Sequence, residues 1–193
     1  MDFEKVSQFK LTLSDYAYTF KDSILYALGL GYGADPLDPA QLEFVYEEGL
    51  KSVPSIVNVL AHPGFWLKQP EFKVDWVKIL HGEQSFEIHK PVPPNGKVRG
   101  EFFIEAIDDK GPEKGAIVYQ MKHLYDEETN DLLAAVRSVV FLRGDGGCGS
   151  FGTPPVLPGA MADRAPDQVN EIATLPQQAL IYRLSGDYNP IHA

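Results

Sequence analysis

The chain is poor in cysteine: Cys148 is its one thiol in 193 residues. No intrachain disulfide can form and no thiolate metal cluster can be built, which fits a reducing compartment. Positive charge is scarce as well, with 17 Lys and Arg against 27 Asp and Glu and a formal net charge of −10. A nucleic-acid binder normally carries a basic face, so that class is set aside. A local basic patch facing an anionic small molecule remains compatible with the balance. Long apolar runs are missing: none approaches the ~20 residues that cross a bilayer. The opening MDFEKVSQFK carries both signs of charge and no apolar stretch, so it does not read as a secretory signal. Repeats are absent too. What remains, at 44% hydrophobic and 11% aromatic residues, is an ordinary globular composition, expected in the cytoplasm.

The chain has two kinds of periodicity. In TFKDSILYALGLGYG, Thr19–Gly33, Ile24, Leu25 and Leu28 share a helical face. Thr19 and Asp22 form a capping pair, and Gly29, Gly31 and Gly33 end the run. PSIVNVLAH, Pro54–His62, reads as a second short helix with proline in its first turn. From Gln84 the period falls to two. SFEIHK sets Phe86 and Ile88 against Glu87 and His89 as a half-buried strand, and Lys97–Ile107, Ala116–Tyr125 and Leu132–Leu142 follow. The connectors PPNG, DDKGPEKG and DEETND are turn-rich, so the strands form an antiparallel meander that the upstream helix covers. Residues 1–145 thus read as one α+β domain with a curved sheet around a helix.

A Gly/Pro-rich stretch, Gly144–Gln168, cannot continue a sheet and reads as a linker over residues 146–173. Its GDGGCGSFG lacks the lysine-serine pair of a phosphate loop. It is either a flexible domain exit or a loop lining a ligand site, with Arg143 beside it able to meet a phosphate. Beyond it TLPQQALIYRLSGD, Thr174–Asp187, reads as a short helix with Thr174 and Gln177 as capping box and Gly186 as its end. In HGEQ, His81–Gln84, a lone histidine does not make a metal site. A structural or pocket role is expected of His81 and Gln84. His62, His89, His123 and Cys148 receive no role.

The chain closes on YRLSGDYNPIHA, which places Asp187, Asn189 and His192 after the helix end. A carboxylate and an imidazole brought together by an Asn-Pro turn offer an acid and a base within reach of one water. On residue types alone the stretch reads first as a turn with solvated polar side chains, since turn residues are commoner than catalytic pairs.

The segment closely resembles the signature of the R-specific 2-enoyl-CoA hydratases, the hydratase 2 group of the MaoC-like dehydratases. That signature runs Ser-Gly-Asp-x-Asn-Pro-x-His, and every key position is present. Upstream, YTFKDSILYALGLGYG, LEFVYEEG, ILHGEQSFEIHKPVPPNGK and FLRGDGGCGSFG resemble, in order, the N-terminal half of the long hydratases. The hydratase unit of the peroxisomal multifunctional enzyme type 2 is among these. The resemblance implies a double hot dog, whose N-terminal half accommodates the acyl tail and whose C-terminal half carries the chemistry. Residues 174–193 would be the start of that second half, with roughly a hundred residues still to follow. It implies that Asp187 and His192 hold the water added to a trans-2-enoyl-CoA, that Asn189 orients them, and that an oxyanion donor lies beyond Ala193. Arg143, Gly146, Gly147, His81 and Gln84 are the candidates for substrate binding. No metal and no cofactor is expected, since CoA is part of the substrate. The expected partner is the thioester, with a second copy or the missing C-terminal half against an exposed sheet edge. A non-catalytic acyl-CoA-binding subunit is the alternative function, and a peroxisome the alternative location.

Overall fold

The computed structural model describes residues 1–156, 159 and 163–188. A short helix α1 (Phe3–Ser7) leads into strand β1 (Lys10–Tyr18) and helix α2 (Phe20–Gly29). A one-turn helix α3 (Pro39–Leu42) and four 3₁₀ turns follow, and then the meander β2 (Ile79–Ile88), β3 (Gly96–Asp109), β4 (Ala116–Asp126) and β5 (Leu132–Leu142). Helix α4 (Gln178–Arg183) comes last. The five strands are antiparallel in the order β1-β3-β4-β5-β2.

α2 starts where its chemistry says. The Asp22 carboxylate accepts from both the Thr19 backbone N–H and its hydroxyl, each at 2.7 Å, which satisfies groups a helix start leaves open. It ends at Gly29, and Gly31, just past the cap at Leu30, turns the chain with a φ of 95° that suits glycine. Its inner face enters a cluster with Tyr26, Ala27, Ile56, Val57, Leu60, Val98, Leu124 and Val136. The Tyr26 hydroxyl donates to the Ser55 carbonyl at 2.9 Å, and Ser23 Oγ to that of Pro94 at 2.8 Å. A second cluster fills the other half of the same sheet, with Val6, Trp66, Phe72, Phe102, Val118, Val140 and Leu142. There Phe9 stacks on Trp66, centroids 4.0 Å apart.

Several expectations are corrected. Pro54–Asn58 is a 3₁₀ turn rather than an α-helix, and the chain then reverses through Ala61 at φ 46°. β1 escapes a period-two reading because its register breaks between Leu13 and Tyr16, where Asp15 sits at φ 54°. β2 begins at Ile79, and it is not half-buried. Paired, among the described residues, only with β5, it leaves Phe86 41% and Ile88 37% exposed. α4 is shorter than expected. Gln178 itself receives the Leu175 N–H on its side-chain oxygen at 3.0 Å, so Thr174 and Gln177 make no capping box.

The glycine-rich segment does not leave the sheet at residue 145. Asp109 accepts from the N–H groups of Gly111, Gly147 and Gly149 at 2.8–2.9 Å. Those donors hold its carboxyl below the ordinary range, Gly149 contributing most. Ile107 and Phe151 then exchange backbone hydrogen bonds at 2.8 and 2.9 Å, so the loop is tied to the end of β3.

Candidate active site

Strand register builds a polar row inside the fold. Along β4 the side chains facing the helix run Val118, Gln120, Lys122, Leu124. The outer two belong to the two apolar clusters and the middle two separate them. Gln120 pairs with Ser138 on β5, and Ser138 with Gln84 on β2. Paired residues point to the same face, so Gln84, Ser138 and Gln120 form one line across three strands. With Asn58, His62, Pro63, Phe102, Lys122 and Val136 they line a cavity of about 40 Å³.

Gln120, Gln84 and Lys122 are each held in this wall. Trp66 Nε1 donates to Gln120 Oε1 at 2.9 Å, and Gln84 Nε2 to Asn58 Oδ1 at 3.1 Å. Lys122 is 3% exposed, and its ammonium donates to the carbonyls of Val57, Asn58 and Leu60 at 2.8, 3.3 and 2.6 Å. Those contacts cap the 3₁₀ turn with the charge a helix C-terminus favours. Burial alone pushes the Lys122 pKa down to about 7.

His62 stands at the rim. Its Nδ1 accepts from the Gly64 N–H at 3.0 Å, a bond that only the neutral ring can make, so Nε2 carries the proton. Burial of the ring among its neighbours, then the Lys122 charge, pushes the imidazole pKa down. Asp187 pulls it up, and His81 adds a smaller downward push. The ring keeps an exposed edge, so solvent tempers the depression. His62 is therefore the group on which Lys122, Asp187 and His81 all act.

Asp187 reaches this neighbourhood because α4 lies on α2. A Cβ on Gly29 would come within 3.1 Å of Tyr182 Cα, so the two helices meet at a residue that must be small. Tyr26 and Tyr182 then pack with centroids 6.2 Å apart. Burial pushes the Tyr182 phenol up to about 12, with Tyr26 and Asp187 adding to it. Gly186, at φ 108°, turns the chain out of α4 into Asp187.

Of the expected site residues, Gln84 lines the cavity and Asp187 and His81 lie within electrostatic range of His62. His81 Nε2 contacts the Glu83 carbonyl at 3.0 Å. Arg143, Gly146 and Gly147 sit past the end of β5. Arg143 Nε reaches the Lys78 carbonyl at 3.4 Å, and Gly146 packs on the Gly111–Gly115 turn. Among the described residues no hydrogen bond joins these three to the cavity. Asn189 and His192 lie outside the described residues. Sequence reading missed His62, Gln120 and Lys122. Two polar residues at alternate positions of an otherwise apolar strand were the signal available for the last two.

A family model described as the MFE-2 hydratase 2 N-terminal domain matches residues 16–144. The peroxisomal enoyl-CoA hydratase 2 of Arabidopsis thaliana is 36% identical, over 95% of this chain and 64% of its own length. The enoyl-CoA hydratase ChsH3 of Mycobacterium tuberculosis is 34% identical, over 93% of this chain and 63% of its own. The chain thus spans under two thirds of the length of these relatives. The crystal structure of a MaoC-like dehydratase from Phytophthora capsici superposes with a TM-score of 0.79 at 30% identity, covering 98% of this chain and 66% of that one. The antiparallel sheet wrapped around α2 is the hot-dog fold.

Proposed function

From the premise that this chain belongs to the hydratase-2/MaoC-like dehydratase family, we propose that it supplies the acyl-thioester-binding part of an enoyl-CoA hydratase of fatty-acid metabolism. The reaction is addition of water to a trans-2-enoyl-CoA, giving the (3R)-3-hydroxyacyl-CoA, and its reversal. Residues 1–151, with the glycine loop tied back to β3, take the acyl tail, the residues up to 173 connect, and residues 174–193 open the catalytic unit. The observation that carries this reading is the placement of Asp187, by the α2–α4 contact at Gly29, within electrostatic range of the polar wall around His62.

In the proposed chemistry Asp187 and His192 hold one water between them and Asn189 orients it. The pair removes a proton as the hydroxyl oxygen bonds to C3, and a proton is delivered to C2. Electron density from the double bond passes through the thioester carbonyl, where a backbone N–H would stabilise it. His81 and Gln84 border the acyl end. Arg143 with the Gly146–Gly147 loop is assigned to the CoA phosphates, at the end of the sheet away from α2.

A second reading is that of an acyl-CoA-binding subunit without turnover of its own, completed by another chain. It is favoured by the family match, which is to the N-terminal domain alone and ends at residue 144. Assaying crotonyl-CoA hydration by the chain, alone and with the remaining part of the hydratase, separates the two. Hydration that appears only on completion, and vanishes in Asp187→Ala, supports the hydratase. Binding of butyryl-CoA with no turnover in either case supports the subunit.

β2 presents an unpaired edge with Leu80, Phe86 and Ile88 exposed, and we assign it to pairing with a second copy or with the rest of the hydratase. The name of the Arabidopsis relative supports a peroxisomal location over the cytoplasm.

A further inference from the structure

The acyl end of the site is small where a long chain would need it large, and polar side chains stand among the apolar ones that line it. The cavity between the Pro54–Asn58 turn and the sheet measures about 40 Å³. That is roughly a quarter of the ~150 Å³ that admits one benzene ring, which leaves room for two or three carbons. Lys122 closes it. The side chain projects from mid-β4 between the apolar clusters, and its ammonium is fixed to the Val57, Asn58 and Leu60 carbonyls. Gln120, beside it, is fixed to Trp66. An alkyl chain pushed past this point would strip three carbonyls of their donor. A second groove, about 540 Å³ beside Phe20, Glu47 and Asn95, opens to solvent and offers no enclosed path.

We propose that Lys122 is the stop of the acyl pocket and sets a short-chain preference for this protein. The inference rests on the reading of the substrate as an acyl thioester, and it is tested by binding rather than turnover. Equilibrium titration of the whole chain with butyryl-CoA and decanoyl-CoA, both saturated and unreactive, reads the tail alone. Each methylene taken out of water is worth roughly fourfold in affinity, so an open pocket would favour decanoyl by about a thousandfold or more. The stop predicts less than about a tenfold difference. Lys122→Ala is expected to raise the decanoyl preference by about tenfold or more. If that variant fails to fold, Val136→Ala, which enlarges the same cavity from β5 and keeps the lysine, is expected to raise hexanoyl-CoA over butyryl-CoA by about fourfold. Decanoyl-CoA binding the unaltered chain about a hundredfold tighter than butyryl-CoA overturns the stop and leaves the proposed reaction standing. Failure of the chain to bind either thioester, or ratios unmoved in the variants, overturns it as well. Retained short-chain binding with no hydration of crotonyl-CoA by the completed enzyme defeats the reaction and leaves the stop intact.

Discussion

Lys122 shows how one residue shapes the site. The folded pKa near 7 lies below the ordinary lysine value, so between about pH 7 and 10 the unfolded chain binds more protons than the folded one. Stability from this group therefore rises with pH across that window. The carbonyl cage offsets part of the effect, and about 1–2 kcal/mol is expected between pH 7 and 9. Urea unfolding at the two pH values, compared with Lys122→Met, isolates it: the variant is expected to lack the rise. An equal rise in both places the effect elsewhere. At this scale the sequence was partly legible. Asp187 stood out through its neighbours in the chain, Gly186 and Asn189, because a signature is local. Lys122 and His62 did not, because their roles come from strand register and from the chain reversal at Ala61, which no local spacing records.

At the scale of elements, α2 and strands β3 to β5 were readable because their burial repeats at the period of their geometry. β1 was not, because its bulge at Asp15 breaks the alternation; β2 was read only in its second half, and as half-buried, where the structure starts it at Ile79 and leaves it exposed. Two contacts between elements carry predictions. Gly29→Val is expected to push α4 off α2 and lower thioester turnover about tenfold or more. The unfolding free energy should stay within about 1 kcal/mol, since a better helix former replaces glycine. Unchanged turnover would separate α4 from the site. Asp109→Ala removes the acceptor for three glycine N–H groups. Hydrogen exchange at Gly147 and Gly149 is expected to speed up while the β4 and β5 amides keep their protection. Because the Asp109 carboxyl is held below its ordinary value, its hold on the loop is present at neutral pH and is lost on acidification through that lowered value.

For the whole molecule, both edge strands, β1 and β2, have one unpaired side among the described residues, and part of the apolar surface at β2 is bare. β2 is ten residues long, and all but its first are exposed. Such an edge invites pairing. Light scattering after gel filtration is expected to show a dimer or larger species, and Phe86→Lys with Ile88→Lys to return a monomer. A monomeric parent would remove β2 as an interface. A curved sheet around a helix was legible from the pattern of one helix and a meander, and the hot-dog fold from the family resemblance. The division of its interior into two apolar clusters with a polar row between them was not, since the row exists only once three strands are in register.

The most direct test of the account is the effect of Asp187→Asn on crotonyl-CoA hydration by the full-length protein, with butyryl-CoA binding measured alongside. Loss of the acid–base group is expected to lower turnover by about 10²–10⁴ while affinity for butyryl-CoA stays within about threefold. Turnover equal to that of the parent would contradict the assignment of Asp187 to the reacting water and, with it, the proposed hydratase.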